Sequence, residues 1–232
     1  NDLGVENDAH AGEWHRQVSL LGIESINRFK ESAKREINFG DFAENITTQG
    51  IELVNTKPGD RFIGNDVDLE VTQIGKSCHG DGCAIYREVG NCVMPKEGIF
   101  CRVIKPGKLK AGDELTFHPK IYKIQVITLS DRASRGVYED KSGPEVVRLI
   151  SEFFDTLKWQ FTVESTIIPD DEEMLRSHLA KAKEENYDLL ITTGGTGIGL
   201  RDITPDVVRQ MIDKEIPGIM EMIRVKYGAE KP

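Results

Sequence analysis

The chain holds few cysteines, few aromatic side chains and no long apolar run. Its four cysteines all fall within residues 78–101. A disulfide framework would spread them along the sequence, so the clustering reads as one local thiol or metal site in a reducing compartment. No stretch approaches the ~20 consecutive apolar residues that a spanning helix needs, and no secretory leader is read at the visible start. That start is Asn1 rather than Met, which suggests processing or an incomplete N-terminus. A basic surplus is also missing. Residues 1–120 carry 15 basic against 19 acidic side chains and residues 121–232 carry 15 against 20, for a net charge of −9. This excludes non-specific nucleic-acid binding through bulk charge. An anionic ligand would need Arg and Lys placed locally.

With 232 residues the chain can form one large domain or two small ones. The first half reads as β-rich with one early helix. Residues 16–34 carry Val18, Leu21, Ile26 and Phe29 at loosely helical spacing. Short apolar runs then recur between Gly, Pro and Asn at residues 51–54, 60–64, 67–74 and 98–104, the third alternating with the period of a half-buried strand. Near residue 120 the pattern changes. Strands are expected at residues 121–129, 161–168 and 187–193, and helices around residues 146–157 and 174–182. The fold class expected is therefore two domains: a β-rich, barrel-like domain over residues 1–118, then a three-layer α/β domain with a mostly parallel sheet over residues 121–232.

The second domain is organised around Thr192-Thr193-Gly194-Gly195-Thr196-Gly197-Ile198-Gly199-Leu200-Arg201-Asp202-Ile203-Thr204-Pro205-Asp206. Four glycines in six residues separate a strand from a helix start, for which Thr204 is the expected N-cap and Pro205 the first helical residue. Such a turn presents several N–H groups to a phosphate. The plain alternative is a tight crossover turn. Ligands of parallel sheets bind beyond the carboxyl ends of the strands. Two further loops should lie there: Ser130-Asp131-Arg132-Ala133-Ser134-Arg135, continuing to Lys141, and Pro169-Asp170-Asp171-Glu172. Together they offer Arg132, Arg135, Lys141 and Arg201 for phosphates and Asp131, Asp170 and Asp202 for a magnesium ion, which takes one or two carboxylates plus substrate phosphates. Asp170 with Glu173 also reads as a capping box, and Asp131 could bond only its own turn. The glycine run lacks the spacing and position of a dinucleotide fingerprint, which makes hydride transfer a poor reading.

These loops, taken in order over residues 121–224, resemble the molybdopterin adenylyltransferase family (MogA/MoaB-like, and the G domain of gephyrin). The carrying segments are residues 130–140, Ile168-Pro169-Asp170-Asp171-Glu172, and the glycine stretch with Arg201-Asp202-Ile203-Thr204-Pro205-Asp206. The resemblance implies transfer of AMP from magnesium-bound ATP to the terminal phosphate of molybdopterin. It implies Asp170 and Asp202 as the functional carboxylates and as ligands of magnesium brought in with ATP. It implies Ser130, Asp131, Arg132, Gly194, Gly195, Thr196, Gly197, Arg201, Thr204 and Asp206 as the ligand-binding set. A homo-oligomer, a trimer in that family, is implied too, as are molybdenum-insertion and molybdoenzyme-maturation partners, a cytoplasmic location, and no nucleic-acid or membrane partner. Family members continue with a further strand, a Gly/Pro loop and a helix, so the chain reads as a fragment at that end.

The first half resembles a MOSC domain. The carrying segments are Asp8-Ala9-His10-Ala11-Gly12-Glu13-Trp14-His15-Arg16-Gln17-Val18-Ser19-Leu20, Gly40-Asp41-Phe42-Ala43-Glu44-Asn45-Ile46-Thr47, Gly59-Asp60-Arg61-Phe62, and Gly75-Lys76-Ser77-Cys78-His79-Gly80-Asp81-Gly82-Cys83. The opening strands of that domain are expected to be missing. The resemblance implies binding of molybdenum cofactor or sulfur transfer by a cysteine. Cys78, flanked by Lys76 and His79, matches best as the thiol, with Cys83 second. Cys78, His79 and Cys83 could instead join a zinc site, although no second pair completes it. Cys101 reads as core. His10, His15, Arg16 and Asn45 are candidates to hold an anionic pterin, with capping or surface roles as the alternative for the histidines. The combined expectation is a protein of molybdenum cofactor biosynthesis using Mg2+, ATP and molybdopterin, or else a non-catalytic molybdopterin carrier.

Overall fold

The computed structural model describes residues 1–32, 36–77 and 92–228. Cys78, His79 and Cys83 lie outside these residues. The chain divides into two compact units, Asn1–Lys120 and Ile121–Pro232.

The first unit is a six-stranded sheet of order β2-β1-β5-β4-β3-β6. Its strands are β1 (Val18–Gly22), β2 (Ile46–Thr48), β3 (Arg61–Ile63), β4 (Asp68–Ile74), β5 (Ile99–Lys105) and β6 (Thr116–His118). Among the described residues β1 and β2 pair in parallel and the other pairings are antiparallel. Among the described residues the order is open, with β2 and β6 at its ends. The helix expected over residues 16–34 is half strand. Every residue of β1 is buried, and Leu20 and Leu21 enter different core clusters, as period-two alternation requires. Pairing on both sides, with β2 and β5, outweighs the weak helical spacing. Helix α1 (Ile23–Ser32) begins only after Gly22 and buries Ile26 and Phe29, the latter edge-on to Phe42. The run at residues 51–54 likewise gives a 3-10 turn, Leu53–Asn55, that buries Leu53. Strand β4 fits the expected alternation but bulges between Val71 and Gln73; the hydroxyl of Thr72 there donates to the Phe100 carbonyl at 3.0 Å.

The second unit is a parallel sheet of order β8-β7-β9, built from β7 (Ile121–Leu129), β8 (Gln160–Ile168) and β9 (Leu189–Thr193). Alternate residues of β7 serve two cores. Ile124 and Val126 pack with Ile150 and Phe154 of α2 (Ser142–Leu157). Ile127 and Leu129 pack with Leu175 of α3 (Glu172–Glu184) and Val207 of α4 (Thr204–Met211). Helices thus cover both faces of the sheet. All three strands deliver their loops to one edge. A last helix, α5 (Pro217–Gly228), has no buried residue.

Candidate functional site

The loop after β7 starts as a short helical turn, Asp131–Ser134. Ser130 caps it by accepting from the Ala133 amide, while the Ser130 amide donates to the Ile168 carbonyl at 2.9 Å. The loop after β8 is locked to it reciprocally. The Asp131 amide donates to Asp170 Oδ2 at 2.9 Å, and the Asp170 amide donates to Asp131 Oδ1 at 3.3 Å. The capping expectation for Asp170 is corrected here. The N-cap of α3 is Asp171, whose Oδ1 accepts from the Met174 amide at 2.8 Å. Asp170 stands one residue earlier and reaches into the site instead. Its Oδ1 is buried without a hydrogen-bond partner among the described residues.

The glycine loop meets the other two at its first turn. Gly194 has φ +88°, and a Cβ there would stand 2.1 Å from the Leu129 carbonyl oxygen. Gly195 has φ +58°, and its Cβ position lies 3.1 Å from Asp170 Oδ1 and 2.6 Å from Thr204 Oγ1. Only glycine lets the main chain approach the Asp170 carboxylate this closely. The expected N-cap at Thr204 is also corrected. Thr204 is the first residue of α4, and its hydroxyl turns back to donate to the Gly194 carbonyl at 2.9 Å. The hydroxyl therefore closes the glycine turn rather than the helix.

Arg201 ties the end of the loop to its beginning. Its Nε and terminal nitrogen donate to both oxygens of Asp131 at 2.6–3.0 Å. This hydrogen-bonded pairing holds the Asp131 carboxyl below its usual 3.8 and raises the Arg201 guanidinium. Asp202 is placed differently from Asp170. Its Oδ2 accepts from the Gly199 amide at 2.8 Å, and a Cβ on Gly197 or Gly199 would stand 2.7 or 3.0 Å from it. Asp202 thus shapes a loop tip on which Ile198 and Leu200 are fully exposed. Thr196 and Gly197 are exposed along the same tip. Arg132 lies 5.2 Å over the Tyr138 ring, and Asp206 sits in the first turn of α4, where a carboxylate suits the helix dipole. Among the described residues no three His, Cys, Asp or Glu side chains gather as a metal cage.

In the first unit the candidates fall into two groups. His10 and Asn45 meet at Asp8: His10 Nδ1 lies 3.2 Å from Asp8 Oδ1, and Asn45 donates to Asp8 Oδ2 at 2.9 Å. Asn45 also fixes β1 by accepting from the Ser19 amide. The His10 amide, which donates to Asp8 Oδ1 at 2.7 Å, holds the Asp8 carboxyl below its usual range, helped by Asn45 and the His10 ring. His15 pairs with Gln73 at 3.0 Å, and the Arg16 guanidinium lies 4.7 Å over Trp14 and 5.8 Å over Phe100. Lys76 approaches the same Phe100 ring at 5.6 Å. Sequence reasoning named Asp8 and Trp14 only as part of a resembling segment, gave them no role, and missed Gln73, which only the fold brings beside His15. Cys101 is fully buried, and burial pushes its thiol pKa up. No described helix is long and apolar enough to cross a membrane.

Comparison with known proteins divides the chain in the same two parts. Residues 7–116 match the MOSC domain and residues 125–231 match a family described as a probable molybdopterin binding domain. The second part is similar to molybdopterin adenylyltransferases: 39% identical over 104 residues to that of Helicobacter pylori and 37% over 103 residues to that of Escherichia coli. Each alignment takes in 44% of this chain, and the chain spans 57% and 51% of those relatives, about half their length. A solved structure, a tungsten cofactor synthesizing protein MoaB from Pyrococcus furiosus, is 36% identical, covers 49% of this chain and 67% of its own, and superposes with a TM-score of 0.42. The chain thus joins a member of the MOSC domain family, in residues 7–116, to a member of the probable molybdopterin binding domain family, in residues 125–231.

Proposed function

We propose that the second domain adenylylates molybdopterin, within molybdenum cofactor biosynthesis. The observation that carries this reading is the buried Oδ1 of Asp170, without a partner among the described residues and set against the bare Cα of Gly195 where three loops of the sheet edge meet. A magnesium ion fits this donor set: a carboxylate oxygen left without a partner, beside a turn built to admit phosphates, is what a phosphate-bound cation requires. Asp170 would hold the ion. When bound, magnesium neutralises the charge of the two phosphate groups that must approach each other. A phosphate oxygen of molybdopterin bonds to the α-phosphorus of ATP, the bond to the β-phosphate oxygen breaks, and pyrophosphate leaves. The chain's own part is positional. Gly194 and Gly195 bring main-chain groups to the phosphates, and Arg201 and Asp131 fix the spacing between loops. Asp202, with one oxygen committed to Gly199, holds the loop that would cover them.

The first domain is proposed to bind the same cofactor or to carry sulfur on Cys78. Arg16 and Lys76, which have no carboxylate partner among the described residues, support an anionic ligand there. Partners proposed are molybdopterin, ATP, further copies of this chain, and proteins of molybdenum insertion and molybdoenzyme maturation. A second reading, a molybdopterin carrier without transfer, is favoured by one observation: Asp202 is engaged in its own loop. Incubation of the protein with molybdopterin, ATP and magnesium separates the two. Adenylylated molybdopterin and pyrophosphate are expected; binding of molybdopterin without either product establishes the carrier.

A further inference from the structure

A cavity of about 420 Å3 opens beside the glycine turn, lined among others by Thr128, Tyr138, Asp140, Ser142 and Gly194. Two of its polar groups stand apart. Thr128 is 4% exposed, and among the described residues its Oγ1 has no hydrogen-bond partner; Asp140 Oδ2 is likewise buried and unpartnered among them. The two oxygens converge on one bare position. A Cβ on Gly143 would lie 2.5 Å from Asp140 Oδ2 and 2.6 Å from Thr128 Oγ1, with Ser165 Oγ at 3.4 Å. The carboxylate is not loose. Its Oδ1 accepts from the amides of Ser142 at 2.9 Å and Gly143 at 3.2 Å, which fixes where Oδ2 can be. Two other hydroxyls of the wall satisfy each other, Ser130 Oγ and Tyr138 OH lying 2.9 Å apart. Buried polar groups are nearly always paired, so two orphans at one spot on a cavity wall call for a ligand or water.

We propose that Thr128 and Asp140 receive the amino-bearing nitrogen heterocycle of a phosphorylated substrate, whose phosphate lies toward Gly194. This rests on the nucleotidyl-transfer reading and deepens it by locating the ring. A carboxylate oxygen accepts from an amino or ring N–H, and a neighbouring hydroxyl donates to a ring nitrogen. A carboxylate repels phosphate, so the anionic end of the ligand belongs at the glycine turn rather than at Asp140. Tyr138 adds apolar wall for a flat ring. Adenine and pterin share this chemistry.

The test is calorimetric titration of the full chain with AMP, neopterin monophosphate and ribose 5-phosphate, for wild type, Thr128→Val and Asp140→Asn. Valine keeps the shape of threonine, and asparagine keeps the Oδ1 that caps α2. Thr128→Val, with no bond to lose, should melt at or above the wild-type temperature. At least one ring ligand should bind more tightly than ribose 5-phosphate and lose roughly tenfold in affinity in each variant, with ribose 5-phosphate unchanged. The ligand that weakens names the ring. Unaltered ring binding in both variants would overturn the proposal and leave the oxygens as a water-bridged cap. So would equal loss for ribose 5-phosphate, or wild-type ring affinity no better than that of the sugar phosphate. Ring binding that weakens as expected in a protein that makes no adenylylated product would uphold this assignment and remove the transferase reading alone.

Discussion

Arg201 grips both oxygens of Asp131 across 70 residues of sequence, with nitrogen–oxygen distances of 2.6–3.0 Å. The pair is a fork-on-fork contact between the first and third loops of the sheet edge. It is exposed, so its value lies in registering the loops rather than in stability. The lowered Asp131 pKa gives its pH dependence. A depressed carboxyl contributes above its ordinary value, 3.8, and its contribution fades as pH falls below that through the lowered value. Carboxyl NMR titration should place Asp131 below 3.8 in the wild type and return it toward 3.8 in Arg201→Ala. An unchanged titration would remove the pairing.

Asp170 and Asp202 should respond differently to truncation. Asp170→Asn removes charge from a side chain that does not cap α3 and leaves an oxygen to accept from the Asp131 amide, so folding should persist. Adenylyl transfer should fall by roughly two to four orders of magnitude, about 3–5 kcal/mol of barrier. Asp202→Asn can still accept from the Gly199 amide, whereas Asp202→Ala cannot. If Asp202 acts only on its loop, Asn will turn over near the wild-type rate and Ala will not; if its charge acts in transfer, both will fail. Steady-state rates on molybdopterin decide.

Asp171 carries the cap of α3 and should carry the stability effect. Asp171→Ala is expected to lower unfolding free energy by about 1 kcal/mol in denaturant titration. Asp170→Ala should not reproduce the lost amide bond to Met174. A larger loss for Asp170 than for Asp171 would contradict the cap assignment.

The two units should separate near residues 118–121. Asp60, buried in the first unit, accepts from the Lys57 amide and from the Lys120 amide at 2.7 Å, so ordered structure of that unit extends to its last residue. Limited proteolysis should release two stable fragments after a cut at this short junction, and faster in Asp60→Ala. Scattered cleavage, or protection across the junction, would argue for one folding unit.

Among the cysteines, Cys101 should alkylate last. It is fully inaccessible, and its raised pKa leaves little thiolate at neutral pH. Cys78 is expected first, on the strength of Lys76 and His79 beside it in sequence. Peptide mapping after limiting iodoacetamide reads the order, and early labelling of Cys101 would refute its place in the core.

Much of the second domain was legible because its signals are local. Strand and helix periods in residues 121–193 survive folding unchanged in kind, and a glycine-rich turn after a strand points to the sheet edge by itself. The caps were misassigned by one residue because Asp170 and Asp171 are adjacent carboxylates with the same capping chemistry; only the reciprocal bond from Asp131, 39 residues away, decides which one faces the site. The first domain was less legible for a related reason. Leu20 and Leu21 fit a helix face as readily as a strand buried on both sides, and the partners that settle it, Ile46, Thr47 and Ile99, are remote in sequence. The orphan oxygens of Thr128 and Asp140 have no sequence signature at all, since an unmet hydrogen bond is a property of the folded surroundings.

The strand order β8-β7-β9 has a bearing on synthesis. β7 is made first of the three yet takes the centre, pairing on one side with β8 and on the other with β9, whose register sets Ile124 against Leu189. A chain emerging from the ribosome can zip β7 to β8 early, but one edge of β7 stays open until β9 and the glycine loop have cleared the exit tunnel. Long-range parallel pairing of this kind is slow to close. The contact between Arg201 and Asp131 is later still, so a stalled nascent chain would hold a half-built sheet with an exposed hydrogen-bonding edge, a substrate for chaperones rather than for nucleotide.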